Sequence, residues 1–286
     1  MLVDVLRLQE GDLGAAITIY IPDFLTETVN TAARPAVVIC PGGAYMGITE
    51  KEAEPVALRF LAAGFCAFVL RYSIGAGMAV FPSPFLDAAR AVMLVRSNAG
   101  RWGIDPNRIC LCGFSTGGHV AAVLASTWQE DYLREALGTD FAWFKPNTLL
   151  LGYPLLDMNS FRRNNQGKSE DMNTLLDMMF RTVYGTDQPP ESLLEEWNVK
   201  QRVTFRMPPT FLWTTAEDTL VAREDHFDFI KALAVNQVPY EFHIFENGPH
   251  GLSLGDRTVG YSEEEMRRND NAHKWAELAA DWVRRQ

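Results

Sequence analysis

From residue 36 to residue 246, short apolar runs alternate with helical patterns, and this alternation constrains the fold more than any other feature of the 286-residue chain. The runs AVVICPG (36–42), CAFVLRY (66–72), RICLCGF (108–114), TLLLGYP (148–154), TFLWTTA (210–216) and YEFHIFE (240–246) are rich in Val, Ile, Leu and aromatic residues. Between them, EAEPVALRFLAAG (52–64), PFLDAARAVMLVRSNAG (84–100), the stretch after residue 115 and AREDHFDFIKALAVN (222–236) carry apolar residues at helical spacing. Continuous apolar strands imply a sheet covered on both faces, and strand–helix alternation implies parallel neighbours joined by crossovers. Two earlier runs, LVDVLRL (2–8) and AAITIYIP (15–22), are joined by QEGDLG without a helix and read as an antiparallel edge. A last helical pattern spans 262–286. The expectation is one α/β domain over residues 1–286, with a mostly parallel sheet of about eight strands and helices on both faces.

One segment breaks the rhythm. Residues 157–209 separate two strands by far more than a crossover needs. They contain polar material (NSFRRNNQGKSED), read as loop, a Met-rich helical pattern (MNTLLDMMFRTVYG) and a second short helix (PESLLEEWNV). An insertion on this side of an α/β sheet is expected to act as a cap over the functional site.

A formal charge of −10 and a pI near 5.0 argue against a nucleic-acid or anionic-membrane surface, which needs clustered Lys and Arg. Asp4, Arg7 and Glu10 interrupt what would be the core of a signal peptide, and no apolar run reaches membrane-spanning length, so the chain reads as cytoplasmic. Cys40, Cys66, Cys110 and Cys112 lie in strand-like runs and read as buried free thiols. The Cys110/Cys112 pair shares one strand face, but no second Cys/His pair completes a metal site, and no metal or cofactor is expected.

Chemistry concentrates around GFSTGGH. Gly113-x-Ser115-x-Gly117 stands between a strand and a helix, the setting of a nucleophile elbow. A serine hydroxyl needs a base to take its proton and an acid to orient the base. Among five histidines, His250 lies in NGPHG directly after the last strand, where a parallel sheet presents its functional loops. His243, His226 and His273 read as structural or surface residues, and His119, one helical turn after Ser115, as packing. Asp218, in TTAEDTLV after the preceding strand, is favoured as the acid over Asp157, the runner-up. CPGGAYMG, after the third strand, supplies backbone donors for a developing oxyanion; the assigned hole is the N–H groups of Gly43, Ala44 and Thr116.

With these motifs in place the chain resembles the α/β-hydrolase superfamily, in the esterase/lipase branch related to hormone-sensitive lipase and to bacterial acetyl-xylan esterase-like hydrolases. PGGAY stands where that branch carries HGGG or PGGGY, and LRYS, FPSPFLDA, WGIDPNRICLCGFSTGGH, AEDTLV and GPHG resemble its further motifs. The resemblance implies a triad of Ser115, Asp218 and His250. Ala44 in place of the third glycine, and Thr116 in place of alanine, narrow the pocket. Pro41 in place of the lead histidine moves the comparison toward sugar-ester deacetylases. The N-terminal helical cap of hormone-sensitive-lipase relatives is not seen, so a cap is expected from residues 157–209.

The expected function is therefore a serine carboxylesterase acting on a small-molecule, short-acyl ester, with acetylated carbohydrate as the leading alcohol. The alternatives are a serine peptidase of the same fold and a non-catalytic hydrolase-like binding protein. The sequence leaves a homodimer open. Tyr45, Met46, Met172, Met178, Met179, Phe180 and Trp197 are expected to crowd the hole and its roof, limiting pocket depth.

Overall fold

Eight strands form one sheet in the order β1-β2-β4-β3-β5-β6-β7-β8. They are β1 Leu2–Arg7, β2 Ala16–Ile21, β3 Arg34–Cys40, β4 Cys66–Arg71, β5 Ile104–Phe114, β6 Thr148–Gly152, β7 Thr210–Thr215 and β8 Tyr240–Phe245. The computed structural model describes residues 1–9, 14–23, 32–269 and 271–286. Every apolar run became a strand. β1 and β2 pair antiparallel, as do β2 and β4, and all other neighbours are parallel. The QEGDLG connection includes residues 10–13, and the final helical pattern includes residue 270; both lie outside the described residues.

The pleat divides the core in two. Val37, Ile39, Ala67, Val69, Cys110, Cys112 and Trp213 face the helices Glu54–Ala62 and Trp275–Arg285. Ala36, Val38, Phe68 and Leu111 face the helices Ser83–Ser97, Ser115–Thr127 and Arg223–Val235. All four cysteines are buried and unpaired, and burial raises the pKa of each thiol. The helix Ser115–Thr127 is buried from Thr116 to its end, which accounts for its Ala- and Gly-rich, almost charge-free sequence. Among the described residues, no helix is long and apolar enough to cross a membrane.

Two local readings need correction. Asp105-Pro106-Asn107, which reads from the sequence as a turn leading into the strand at 108, lies inside β5 and interrupts its ladder: Arg34 pairs with Ile104 and Ala36 with Ile109, while Asp105 Oδ1 accepts the Asn107 N–H at 2.9 Å. The polar stretch read as loop from 159 forms the helix Met158–Asn165, because the Asp157 side chain accepts the Ser160 N–H and one face buries Met158, Phe161 and Asn165. Its polarity belongs to the other face. The helices Glu170–Tyr184 and Glu191–Glu196 follow as read.

Residues 157–209 leave the C-terminal end of β6 and are tied to the rest of the chain at several points. Val199 N–H donates to Leu156 C=O, Phe81 N–H to Val183 C=O, and Lys200 Nζ bridges Asp157 at 3.0 Å and Asp225 at 2.9 Å. Met179, Phe180 and Trp197 belong to the core, while Met178 is 52% exposed. Met179, Phe180 and Trp197 therefore pack as helix core and Met178 points to solvent, so residue type alone does not make them a pocket roof.

Candidate active site

β5 runs directly into the helix Ser115–Thr127, so the chain changes direction at a single residue. That residue is Ser115, at φ +50°. Holding a side chain in this left-handed region costs on the order of 1–3 kcal/mol, supplied by the surrounding packing. A Cβ on Gly113 would lie 2.3 Å from Gly117 O, and one on Gly117 would lie 2.0 Å from Cys40 O. Neither contact is tolerable, so the spacing of the two glycines is dictated by how closely β3, β5 and the helix approach.

The strand ends deliver the remaining groups. His250, in the loop after β8, points Nε2 at Ser115 Oγ over 2.9 Å and Nδ1 at Asp218 Oδ2 over 2.7 Å. Asp218 follows β7, and its Oδ1 accepts the N–H groups of Leu220 and Val221 at 2.9 and 3.1 Å. Its carboxylate is fully buried. Burial alone would raise its pKa, but the imidazole and the two turn amides outweigh it and hold the carboxyl below its ordinary value. An ionised Asp218 keeps the proton of neutral His250 on Nδ1 and leaves the Nε2 lone pair facing the serine hydroxyl.

Gly43, Ala44 and Thr116 come together beside Ser115, though not as three equivalent donors. Ala44 N–H donates to Thr116 Oγ1 at 3.0 Å. The N–H groups of Gly43 and Thr116 have no acceptor among the described residues. Thr116, read from sequence as a narrowing of the pocket, thus also braces the loop opposite.

The other candidates lie elsewhere. Asp157 caps its helix and pairs with Lys200, and Asn198 donates to it at 3.1 Å. His243 pairs with Glu241 along β8. His226 is fully buried, with Nε2 on Pro154 C=O at 2.9 Å. His119 is also fully buried, with Nδ1 against Tyr45 O–H at 2.6 Å and Nε2 donating to Trp197 C=O at 3.0 Å. Donation from Nε2 leaves Nδ1 as acceptor for the tyrosine, so the neutral ring satisfies both contacts and a second proton would break one.

Burial lowers the His119 pKa from the ordinary 6.5 to about 4 and also lowers that of His226. In that window the unfolded chain binds protons that the folded one does not, so stability is complete above the ordinary value and declines as pH falls toward 4. Urea unfolding at pH 7 and pH 5 should show a loss of about 2 kcal/mol from His119 alone. His119→Gln should remove that share of the difference; an unchanged difference would place the acid sensitivity elsewhere.

Two residues near Ser115 were not singled out from sequence. Glu52 is 1% exposed, and Tyr153, at φ +37°, packs its ring against His250 with centroids 5.1 Å apart. Glu52 stands in EKEAEP at the start of a helix, where acids are ordinary, and Tyr153 in GYP after β6, where an aromatic reads as core. The sequence carries no local signal for either.

Comparison with known proteins places this arrangement in context. The family model described as BD-FAE matches residues 19–233. Endo-1,4-beta-xylanase B of Butyrivibrio fibrisolvens is 28% identical over 240 residues, which is 83% of this chain and 35% of that protein. The chain spans less than half the length of the first three curated relatives it matches. Among solved structures, the carboxylesterase Cest-2923 from Lactobacillus plantarum WCFS1 superposes with a TM-score of 0.83 at 26% identity, covering 100% of this chain and 98% of its own. The acetyl ester-xyloside bifunctional hydrolase from Caldicellulosiruptor lactoaceticus gives 0.75 at 28% identity, covering 98% and 95%. The fold is that of the α/β-hydrolases.

Proposed function

This chain belongs to the BD-FAE family, and from that premise we propose that it is a serine carboxylesterase of small short-acyl esters, with acetylated carbohydrates as the leading substrate class. The observation that carries the reading is the continuous line from Asp218 through His250 to Ser115 Oγ, at 2.7 and 2.9 Å. Ser115 Oγ attacks the ester carbonyl as His250 Nε2 takes its proton. The negative charge that develops on the carbonyl oxygen is met by the N–H groups of Gly43 and Thr116, while Ala44 contributes by holding Thr116. His250 then protonates the leaving alcohol, and water repeats the sequence on the acyl-enzyme. Asp218, ionised and buried, stabilises the imidazolium at both stages.

Two features support the substrate class. Tyr45, immediately after the hole, packs edge-on to Phe81 with centroids at 5.2 Å, and Phe81 lies 4.7 Å from Phe85. This close-packed ring cluster directly after the oxyanion loop supports a shallow acyl site. A groove of about 460 Å³ flanks the His250 and Asp218 turns, lined by Glu217, Thr219, Pro249, Tyr261, Glu265 and Arg268. Its surface is mainly apolar, and the Tyr261 ring together with the Thr219 hydroxyl offers a stacking face and a hydrogen-bonding group for a sugar alcohol. The four reduced, buried thiols fit a cytoplasmic setting.

The test is kcat/KM for p-nitrophenyl acetate, butyrate, octanoate and palmitate, followed by acetylated xylose and xylo-oligosaccharides. Activity should peak at acetate or butyrate and fall steeply with length, and sugar acetates should be deacetylated. A maximum at octanoate or longer would overturn the short-acyl assignment. Failure of a fluorophosphonate to label the protein at Ser115 would overturn the serine mechanism itself.

A further inference from the structure

The short helix Glu50–Glu52 and the residues after it carry three acids, and two of them, Glu50 and Glu54, face solvent as helix-start acids do. Glu52 turns inward. Its Oε2 accepts the Gly42 N–H at 2.7 Å and its Oε1 accepts the Tyr153 O–H at 2.7 Å. No cation is hydrogen-bonded to it among the described residues, so its carboxylate is held by two neutral donors. Burial raises its pKa, and the two bonds oppose that rise. An acceptor-only carboxylate takes both bonds at once, whereas an amide would turn an NH₂ toward one donor.

Each donor leads to a different part of the site. Gly42 C=O accepts the Thr49 N–H at 2.9 Å. With its N–H pinned by Glu52 and its C=O by Thr49, Gly42 leaves the next peptide plane no freedom; a trans peptide then directs the Gly43 N–H away from Thr49. A Cβ on Gly42 would lie 2.9 Å from both Glu52 Oε2 and Ser115 Cβ, so carboxylate and serine pack on the same glycine. On the other side, Tyr153 stacks edge-on to His250, and its hydroxyl accepts the Ser253 N–H at 2.9 Å, three residues beyond that histidine. Ser253 returns its own hydroxyl to Lys51 C=O, beside Glu52.

We propose that Glu52 is a positioning residue for ester hydrolysis, a buried carboxylate that locks the oxyanion loop at Gly42–Gly43 and the His250 loop to one another around Ser115. This rests on the esterase reading above. The oxyanion exists in the transition state and not in bound substrate, so loosening the Gly43 N–H should lower kcat and spare KM.

The experiment compares Glu52→Gln and Glu52→Ala with the unaltered protein on p-nitrophenyl acetate, and measures the affinity of each for a methyl trifluoromethyl ketone, which builds an oxyanion on the serine. Removing a hole donor costs roughly 10²–10³ in turnover, so Glu52→Ala should lose about 10²-fold in kcat and Glu52→Gln, which keeps one bond, about tenfold. KM should stay within about twofold, and ketone affinity should fall in step with kcat/KM. Unchanged kcat in the folded variants, or a loss confined to KM, would overturn the assignment. If Glu52→Ala does not fold, the isosteric Glu52→Gln decides. Ser115-dependent hydrolysis in the unaltered protein separates the two readings: its absence overturns the esterase assignment together with this one, whereas its presence with indifferent Glu52 variants overturns this one alone.

Discussion

Replacing Ser115 with alanine should abolish ester hydrolysis while leaving the fold intact, a loss on the order of 10⁶-fold in turnover. The size follows from the step removed. Without Oγ there is no covalent acyl-enzyme, and the remaining groups offer only a polarised carbonyl and a bound imidazole to water. The fold should survive because, among the described residues, the hydroxyl's one hydrogen bond is to His250, while the strained turn at φ +50° is imposed by close packing of backbone around Gly113 and Gly117, which alanine leaves unchanged. Circular dichroism and the unfolding midpoint should match those of the unaltered chain, and labelling by a fluorophosphonate should vanish. Turnover within tenfold of the original would place the nucleophile elsewhere.

The second large effect separates two aspartates that each follow a strand end. Asp218→Asn should reduce kcat by about 10⁴-fold, because the amide can present NH₂ to His250 Nδ1 and shift the imidazole proton to Nε2, where it faces the serine and cannot accept. Asp157→Asn should leave kcat within a few-fold. Asp157 serves a helix cap and the Lys200 cluster, which also includes Asp225. Its substitution should appear as lost stability of about 1–3 kcal/mol, from a weakened cap and a partly buried cation deprived of one carboxylate. Steady-state kinetics and urea unfolding on both variants decide the matter: a severe kcat defect in Asp157→Asn with a mild one in Asp218→Asn would move the acid to the end of β6.

Much of this molecule was legible in the chain because its signals are local. The strands of an α/β sheet are single apolar runs, and all eight stood out. The elbow is equally local, since Gly113, Ser115 and Gly117 report a sharp turn within five residues. Asp218 and His250 could be proposed because chain order and strand ends restrict where an acid and a base can stand, and the structure brings both into line with Ser115. Polarity misled where a helix buries only one face, as in Met158–Asn165, and residue type misled where Met179, Phe180 and Trp197 pack inward instead of roofing a pocket.

What only the tertiary structure decided is how groups distant in the chain share one hydrogen-bonding capacity. Ala44 and Thr116 are both sound backbone donors by sequence, yet the Thr116 hydroxyl takes the Ala44 N–H across 72 positions and leaves Gly43 and Thr116 as the unoccupied pair. Glu52 and Tyr153 meet across 101 positions, and Tyr153 and Ser253 across 100. No periodicity or spacing encodes such meetings. A sequence records which side chains could accept or donate, but burial removes water as the alternative partner, and only in the folded interior does each donor have to find its one acceptor.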